Sequence, residues 1–456
     1  MPRYDAIVIG SGQAGSPLSQ KLADHGWTVA LVEKEHLGGT CVNTGCTPTK
    51  TMMASAQVAY YARNASRWGV RAGEVSVDLA KVLARKDRVV GQSRSGLTRK
   101  VEERKTLHIY RGHGCFIGPH QVRVGEEVLE SQRIFIDTGT RPEVPPLEGL
   151  RDIDFLDNAG IMRLTEVPEH LLVLGGGYIG MEFGQMFRRF GSRVTVIQRE
   201  QQILPHEDAD VAEALQQALE VEGIRFILGA TTTRVEQEQG GVSLNVVVGN
   251  NTETVRGSHL VVATGRRPNS DDLGLQAAGV LTNQQQFIVV NNRLETNVPG
   301  VWALGDVKGG PAFTHISFND YQIVYANLIE GKALTTDNRP VPYAVFTDPQ
   351  LGRVGLTEEA ARAEGRRIKV GKVPMAWVAR AIERDETAGL MKLVVDAETD
   401  RILGAAILAS EGGEIVQILH AVMLAGAPYT LLKGAVYIHP TLAEGLWTLM
   451  ETVSAV

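Results

Sequence analysis

The feature that most constrains the fold of this chain is a glycine-rich turn between a buried strand and a helix, which occurs twice. In the first copy, an apolar strand over Asp5–Gly10 precedes a helix over Ser16–Gly26 and a second strand over Trp27–Glu33. Its turn contains Gly10, Gly12 and Gly15. Such glycines allow close approach of the backbone to a diphosphate, whose charge the helix N-terminus favours. Glu33 lies 18 residues after the third glycine and can accept a hydrogen bond from a ribose hydroxyl, so the pattern predicts a dinucleotide-binding βαβ unit.

The second copy begins with a strand over His170–Gly175 and closes with a strand over Arg193–Gln198. Its turn contains Gly175, Gly177 and Gly180. Two copies support dinucleotide binding far more strongly than either copy alone. Gln198 lies 18 residues after the third glycine, at the place that Glu33 takes in the first copy. The acid that would bind a free 2′-hydroxyl is therefore missing, and Arg199 beside it can accommodate a 2′-phosphate. We predict NADPH rather than NADH at this second site.

Two cysteines stand five positions apart within Gly38–Ala56, where a glycine-rich loop gives way to a helix pattern: Cys41 and Cys46. Pro48 suits the first turn of a helix, because its missing N–H has no partner there in any case. Cys46 should therefore lie close to a helix N-terminus. The macrodipole at that end, and Lys50 one turn further on, lower the pKa of a thiol and suit dithiol/disulfide exchange.

The same spacing would also fit a structural disulfide or half of a zinc site. Zinc takes about four ligands, and Cys115 and His36 are the only other candidates nearby in the sequence. A structural disulfide is disfavoured in a reducing compartment. We expect no metal site, and we expect Cys115 to be a buried, inert thiol.

Length and composition exclude several classes of protein. The 456 residues are too many for one core and indicate two to four domains. No apolar run approaches the roughly 20 residues that span a bilayer, and a net charge of −6 argues against nucleic acid as a partner. The N-terminus passes straight into a strand, which leaves no room for a secretory signal. With only three cysteines in the chain, we expect a cytoplasmic protein without a membrane partner.

The segment CVNTGCTPTK is similar to the redox-active segment of the class I pyridine nucleotide-disulfide oxidoreductases, to which glutathione reductase, dihydrolipoamide dehydrogenase and mercuric reductase belong. The resemblance continues from Gly10 to Glu444 through the segments IFIDTGTRP, VVATGRRPN, VWALGD and IHPTLAE. It implies an α/β fold with two Rossmann-like domains, for FAD and NAD(P), and a C-terminal α+β dimerisation domain. The expected boundaries are 1–145 for the first part of the FAD domain, 146–268 for the NAD(P) domain, 269–338 for the second part of the FAD domain and 339–456 for the dimerisation domain.

The resemblance also implies roles for individual residues. The first glycine turn, Glu33 and the Gly305–Asp306 pair would bind FAD, and the second turn with Gln198 and Arg199 would bind NAD(P). Tyr178 is either first-turn packing of a helix or, as in the family, a ring that covers the nicotinamide pocket. Glu182 also has two interpretations. It is either an exposed helix glutamate without a role or, as the resemblance implies, the partner of Lys50 beside the flavin.

His439 precedes a proline, and Glu444 can reach back to it as a helix begins. A lone histidine near a helix start is usually structural, whereas one oriented by a carboxylate can act as an acid or base. In the family this segment reaches across a two-fold axis to the disulfide of the other subunit, which implies a homodimer with shared sites. By the same resemblance, Cys46 would hold the thiolate nearer the flavin and Cys41 would attack the substrate.

The expected function is electron transfer from NADPH through FAD and the Cys41–Cys46 pair to a small disulfide or oxidised sulfur species. The sequences of the motifs resemble those of mercuric-reductase-like and reactive-chlorine-resistance flavoproteins. The tail ETVSAV, however, lacks the cysteine pair that relays Hg(II) in mercuric reductases. Soft metal ions need such thiolate ligands. His439 also stands where mercuric reductases tend to carry tyrosine. Dihydrolipoamide dehydrogenase activity is disfavoured by Gln198. A metal-ion reductase for Hg(II) or Cu(II) and a flavoprotein redox sensor stay open as alternatives.

Overall fold

The computed structural model describes residues 1–455 of the chain. The elements of its first part are β1 (Ala6–Ile9), α1 (Gly15–Asp24), β2 (Val29–Glu33), α2 (Gly39–Asn43), α3 (Cys46–Arg63), α4 (Leu79–Glu102), β3 (Leu107–Arg111), β4 (Gly114–Gly118), β5 (Gln121–Val124), β6 (Glu127–Glu130), β7 (Ile134–Ile136) and β8 (Thr140–Pro142). Those of the second part are β9 (His170–Leu174), α5 (Tyr178–Phe190), β10 (Arg193–Ile197), α6 (Ala209–Val221), β11 (Ile224–Ile227), β12 (Ala230–Glu238), β13 (Gly241–Val248), β14 (Asn251–Gly257), β15 (His259–Val262) and β16 (Arg266–Pro268).

The remaining elements belong to a return segment and a C-terminal part. The return segment contains α7 (Leu275–Ala278), β17 (Val301–Ala303) and α8 (Thr314–Ile329). The C-terminal part contains β18 (Tyr343–Val345), β19 (Gln350–Gly355), α9 (Glu358–Ala363), β20 (Ile368–Pro374), α10 (Ala379–Glu383), β21 (Leu390–Asp396), β22 (Ile402–Ala409), α11 (Gly412–Leu424), α12 (Thr430–Lys433), α13 (Gly445–Glu451) and β23 (Ser454–Ala455).

The first sheet is parallel, with the strand order β17-β7-β1-β2-β3. Its central strand β1 is buried along its whole length, as expected for an apolar run that is covered on both faces. Gly10 ends this strand with φ +98°, and a Cβ there would lie 2.2 Å from the carbonyl oxygen of Asp137. Only glycine fits this turn. Because β17 pairs with β7, the chain returns to the first sheet after completing the second.

The second sheet repeats the first, with the parallel order β11-β10-β9-β15. Gly175 ends its central strand with φ +112°, and a Cβ there would lie 2.5 Å from the carbonyl oxygen of Ala263. Gly10 and Gly175 therefore make the same contact in the two copies, and Asp137 and Ala263 hold equivalent positions. The two predicted dinucleotide-binding units are present in the fold.

The C-terminal part forms a six-stranded sheet in the order β18-β19-β22-β21-β20-β23, with antiparallel pairs throughout. Helices α11 and α13 cover one face through buried leucines that include Leu419, Leu446 and Leu449. The predicted α/β class with a C-terminal α+β domain is confirmed. The exact boundaries after residues 145, 268 and 338 stay predictions. Among residues 1–455, no helix is long and apolar enough to cross a membrane.

Candidate functional site

The two cysteines lie at a break between two helices. Cys41 lies within the short α2, Gly45 follows, and Cys46 is the first residue of α3. The loop that enters α2 needs glycine, because Gly38 has φ +98° and a Cβ there would lie 2.7 Å from the Val42 side chain. Cys46 is thus at a helix N-terminus, where the macrodipole favours a thiolate.

The two thiols are free in this structure and differ in their acidity. The hydrogen bond from Cys41 is the largest of the influences that lower the pKa of Cys46 to about 6. The Thr314 hydroxyl, 3.3 Å from the Cys46 sulfur, and the charge of Lys50 act in the same direction. The hydrogen bond to Cys46, and then burial, raise the pKa of Cys41 above its ordinary value. At neutral pH one sulfur is therefore a thiolate and the other donates a hydrogen bond to it.

A half-buried ion pair lies one turn along α3 from Cys46. The Lys50 ammonium is 2.7 Å from Glu182 Oε2, and the Glu182 side chain on α5 is only 7% exposed. Glu182 Oε1 accepts the backbone N–H of Phe346 at 2.9 Å, and the Lys50 ammonium lies 4.5 Å from the centre of the Phe346 ring. The pair therefore connects α3, α5 and the C-terminal part of the chain beside the dithiol.

Glu33 is held against the first glycine turn. Its Oε2 accepts hydrogen bonds from the backbone N–H and the hydroxyl of Ser11 at 3.0 and 2.6 Å, and its Oε1 accepts the backbone N–H of Glu35 at 2.8 Å. These bonds orient a buried carboxylate at the end of β2. It has the position and the acceptor capacity that a ribose hydroxyl requires.

Two further carboxyl groups lie where the first glycine turn meets the Gly305–Asp306 pair. Asp137 Oδ2 accepts the backbone N–H of Gly15 at 2.6 Å and that of Ala14 at 3.3 Å. Asp306 accepts the Thr140 hydroxyl at 3.0 Å, and burial raises its pKa. Gly305 has φ +66°, and a Cβ there would lie 2.6 Å from Asp137 Oδ1. The two glycine motifs of the first sheet therefore converge on one place.

The second glycine turn is built in the same way with a neutral group. Gln198 Oε1 accepts the backbone N–H of Gly176 at 2.8 Å, as Glu33 does from Ser11. Arg199 extends into solvent with 81% of its side chain exposed and pairs with Glu200 at 3.0 Å. Nothing lies within 4 Å of a Cβ placed on Gly177, so space is open in front of the turn.

Tyr178 is the first residue of α5 and borders this open space. Its ring packs against Phe313 at 6.2 Å between centroids, and 37% of the residue is exposed. Phe313 immediately precedes α8, which begins with Thr314, the partner of Cys46. The second glycine turn and the dithiol are thereby linked through one helix start.

His439 and Glu444 form the predicted pair. His439 Nδ1 lies 2.9 Å from Glu444 Oε2, which leaves Nε2 free to exchange a proton. The His439 side chain is 67% exposed, and within residues 1–455 the hydrogen bond to Glu444 is its only one. Within residues 1–455, no hydrogen bond joins the pair to Cys41.

The structure also answers two minor questions from the sequence. The expectation that Cys115 is buried was wrong: it lies in β4 and is half-buried, with its thiol 3.6 Å from the carbonyl oxygen of Phe116, and its inertness stays a prediction. Two residues of the site, Thr314 and Asp137, were not predicted from the sequence. Asp137 could have been found by aligning IFIDTG with LVVATG, where the first copy has an acid and the second has alanine.

A dithiol beside the junction of two dinucleotide-binding folds, with open space before the second glycine turn, is the arrangement of a flavin- and nicotinamide-dependent disulfide oxidoreductase. Comparison with protein families agrees. Residues 4–320 match the model of the pyridine nucleotide-disulphide oxidoreductases, and residues 341–450 match the dimerisation domain of the same family. The chain belongs to this family, and it is an oxidoreductase of the FAD- and pyridine-nucleotide-dependent kind. The match to the dimerisation domain supports a homodimer.

Curated relatives extend over essentially the whole chain. The chain is 37% identical to a probable pyridine nucleotide-disulfide oxidoreductase, RclA, of Escherichia coli, over 99% of this chain and 100% of the relative. It is 34% identical to a mercuric reductase of Lysinibacillus sphaericus, over 97% of this chain and 81% of that protein. It is 37% identical to a dihydrolipoyl dehydrogenase of Thermus scotoductus, over 99% and 98% of the two chains.

Solved structures give the same result. The HOCl-induced flavoprotein disulfide reductase RclA from Escherichia coli superposes with a TM-score of 0.90 at 37% identity, covering 99% of this chain and 100% of that one. A Cu(II) complex of the same protein superposes with a TM-score of 0.90, covering 99% of both chains.

Proposed function

We propose that this protein passes an electron pair from NADPH, through FAD and the Cys41–Cys46 pair, to a small disulfide or oxidised sulfur substrate. The observation that carries the proposal is the placement of two free cysteines at the break between α2 and α3, where Cys46 begins α3 beside Thr314 and one turn from Lys50. A pKa of about 6 makes Cys46 a thiolate at neutral pH, and Cys41 is held beside it as the protonated partner. A thiolate beside a protonated thiol is the pair that disulfide exchange requires.

The residues of the two glycine turns fit the two cofactors. Bound FAD supplies the chemistry that takes a hydride from a nicotinamide and delivers two electrons to a disulfide. The side chains and turns that would hold it are Gly10, Gly12, Gly15, Glu33, Gly305 and Asp306. Those that would hold NADPH are Gly175, Gly177, Gly180, Tyr178, Gln198 and Arg199. In this assignment the Tyr178 ring covers the open space before the second turn until a nicotinamide displaces it.

The thiols would carry out the substrate step in two exchanges. The Cys41 sulfur attacks one sulfur of the substrate disulfide, which forms a mixed disulfide and expels the other half as a thiolate. The Cys46 thiolate then attacks the Cys41 sulfur, which closes the Cys41–Cys46 disulfide and releases the second half. The substrate gains two electrons and the dithiol loses them. In this scheme Thr314 and the charge of Lys50 stabilise the Cys46 thiolate, and Glu182 positions Lys50 although its own charge opposes the thiolate.

His439 would supply the proton chemistry of these exchanges. Glu444 fixes the ring through Nδ1, so Nε2 can take the proton from the Cys41 thiol and give it to the departing substrate thiolate. Because the pair lies at the surface of its own chain, this role requires the Cys41 of a second subunit. We therefore assign two active sites to the homodimer, each shared between subunits.

Coenzyme choice provides one prediction. The Gln198 side chain already accepts the Gly176 N–H, so Gln198→Glu keeps that bond while adding a negative charge beside the ribose. We expect the ratio of kcat/KM for NADPH to that for NADH to fall about tenfold, roughly 1.4 kcal/mol, because a carboxylate repels a 2′-phosphate and accepts from a 2′-hydroxyl.

Steady-state kinetics with both coenzymes would measure this ratio. Gln276→Glu is the matched control, since it adds the same charge on an exposed side chain of α7. A wild-type preference for NADH would refute the assignment of Gln198 and Arg199.

The proposed function itself is tested by NADPH consumption with purified, FAD-loaded protein. We expect turnover of at least one member of a panel of small disulfides and oxidised sulfur species, and loss of that turnover in Cys41→Ser. Stoichiometric reduction without turnover would instead indicate a redox sensor.

A metal-ion reductase is the second candidate, because mercuric reductases and a protein solved with Cu(II) are among the similar proteins. Within residues 1–455, no group of three or more His, Cys, Asp or Glu side chains is placed to hold a metal ion. Any metal would therefore have to react at Cys41 and Cys46 alone. Hg(II) and Cu(II) belong in the same panel, and turnover confined to them would replace the disulfide by a metal ion as substrate.

A further inference from the structure

Besides the replacement of Glu33 by Gln198, the two glycine turns differ in a second buried carboxyl group, that of Asp137. Both central strands end in a glycine whose missing Cβ leaves room for a carbonyl oxygen, that of Asp137 in the first copy and that of Ala263 in the second. The residues that follow are Thr-Gly in both copies. The chain thus contains its own comparison: the same turn with and without an acid.

The carboxyl of Asp137 fills the space inside the first turn. Its Oδ2 accepts two backbone N–H groups at the start of α1, those of Gly15 and Ala14. A Cβ on Gly12 would lie 2.7 Å from this oxygen, so the turn closes directly over it. Among residues 1–455, no hydrogen bond reaches Oδ1, which faces Gly305 of the second FAD motif. Oδ2 therefore has its hydrogen-bond donors, whereas Oδ1 faces the place where the first glycine turn meets the Gly305–Asp306 pair.

The charges around Asp137 are unequal. Asp320 is paired with Lys308 at 3.3 Å and with Arg339 at 2.8 Å, and its Oδ2 accepts the Gly305 N–H. Asp306 accepts a hydrogen bond from the Thr140 hydroxyl, and the positive charge of Arg266 acts to lower the Asp306 pKa. No basic side chain pairs with Asp137 in the described part of the chain. Burial raises the pKa of Asp137 well above the ordinary value; the negative charges of Asp306 and Asp320 act in the same direction, and the hydrogen bonds from the Gly15 and Ala14 N–H groups act against them.

We propose that Asp137 is a neutral carboxylic acid that helps to bind FAD, donating a hydrogen bond from Oδ1 to the diphosphate while Oδ2 accepts from the start of α1. An ionised carboxylate at this place would repel a diphosphate. A neutral acid avoids that repulsion and adds a donor. The inference rests on FAD occupying the first dinucleotide fold, as in the proposed function.

Two variants distinguish a neutral Asp137 that donates a hydrogen bond to FAD from an ionised Asp137 that only accepts from the start of α1. Asp137→Asn keeps a donor and an acceptor of nearly the same shape, whereas Asp137→Ala reproduces the alanine that the second turn already tolerates at residue 263. FAD is stripped from each protein, and the dissociation constant for re-added FAD is measured by flavin fluorescence at neutral pH. We expect Asn to bind within about twofold of wild type and Ala to bind about tenfold more weakly, the scale of a lost hydrogen bond to a charged group.

Other results would overturn this role. Tighter FAD binding by both variants would identify Asp137 as an anion that opposes the diphosphate, and unchanged binding in both would show that it does not contact FAD. NADP⁺ affinity at the second site, measured by protein fluorescence, checks that the fold is intact. Wild-type protein that binds no FAD would refute the proposed function itself, which is a distinct result.

Infrared spectroscopy gives a test that does not depend on the alanine variant. A protonated carboxyl absorbs at a frequency distinct from that of a carboxylate. The difference spectrum of FAD-loaded wild type minus Asp137→Asn should therefore show one protonated carboxyl band at neutral pH. A carboxylate band in its place would refute the neutral acid.

Discussion

Replacing Cys46 by serine should lower disulfide turnover by at least about 1,000-fold, because a serine hydroxyl cannot close a disulfide with Cys41. The thiolate at position 46 has three supports: the Cys41 hydrogen bond, the Thr314 hydroxyl at 3.3 Å and the charge of Lys50. Steady-state turnover of the substrate found in the panel would measure the loss. Cys115→Ser is the matched control, since it removes a half-buried thiol of β4 and should leave turnover unchanged.

The acidity of Cys46 can be measured without turnover, by the rate at which the reduced protein reacts with an alkylating reagent as pH changes. Thiolates react and thiols do not, so the rate should fall as pH decreases through about 6, the lowered pKa of Cys46. In Cys41→Ala this midpoint should rise, because the hydrogen bond from Cys41 is the largest cause of the lowered pKa. Cys41→Ser, whose hydroxyl still donates, should keep it low. A wild-type midpoint near the ordinary value of about 8.5 would contradict this account.

The features that sequence reasoning predicted are those set by neighbours along the chain. The start of α3 at Cys46 follows from a glycine, a proline and their effect on local backbone conformation. The duplicated turns follow from glycine spacing and the apolar runs before them. Gln198 was placed by counting from one copy to the other, and it makes the bond to Gly176 that Glu33 makes to Ser11.

The features that were missed depend on contacts between distant parts of the chain. Thr314 lies 268 positions from Cys46 and reaches it only because the chain returns to the first sheet. The carboxyl of Asp137 meets Gly15 across 122 positions. A helix or strand pattern carries no information about such a contact. The pairing of Lys50 with Glu182 was expected from family resemblance alone, and the structure supplies its geometry of 2.7 Å.

Replacing His439 by alanine should lower turnover by about 100- to 10,000-fold, the usual range for a general acid–base group. The His439–Glu444 pair is at the surface of its own chain, so the loss would arise at the Cys41 of the other subunit. His25→Ala, at the end of α1, removes an exposed histidine away from the pair and serves as the control. The loss should be greatest where the leaving thiolate is poorest, because that thiolate depends most on the proton from Nε2.

Mixing two inactive variants tests whether the site is shared. Cys41→Ser has an intact His439, and His439→Ala has an intact Cys41, so each mixed dimer contains one complete site and one site that lacks both groups. After the subunits are exchanged, half of the dimers are mixed on statistical grounds, and activity should recover to about a quarter of the wild-type value. Neither variant alone can recover, whatever its concentration. Size measurements would show whether mixed dimers form. If they form and the mixture stays as inactive as its components, the site is not shared and His439 would have to act within its own chain. The 67% exposure of the His439 side chain in one chain argues against that outcome.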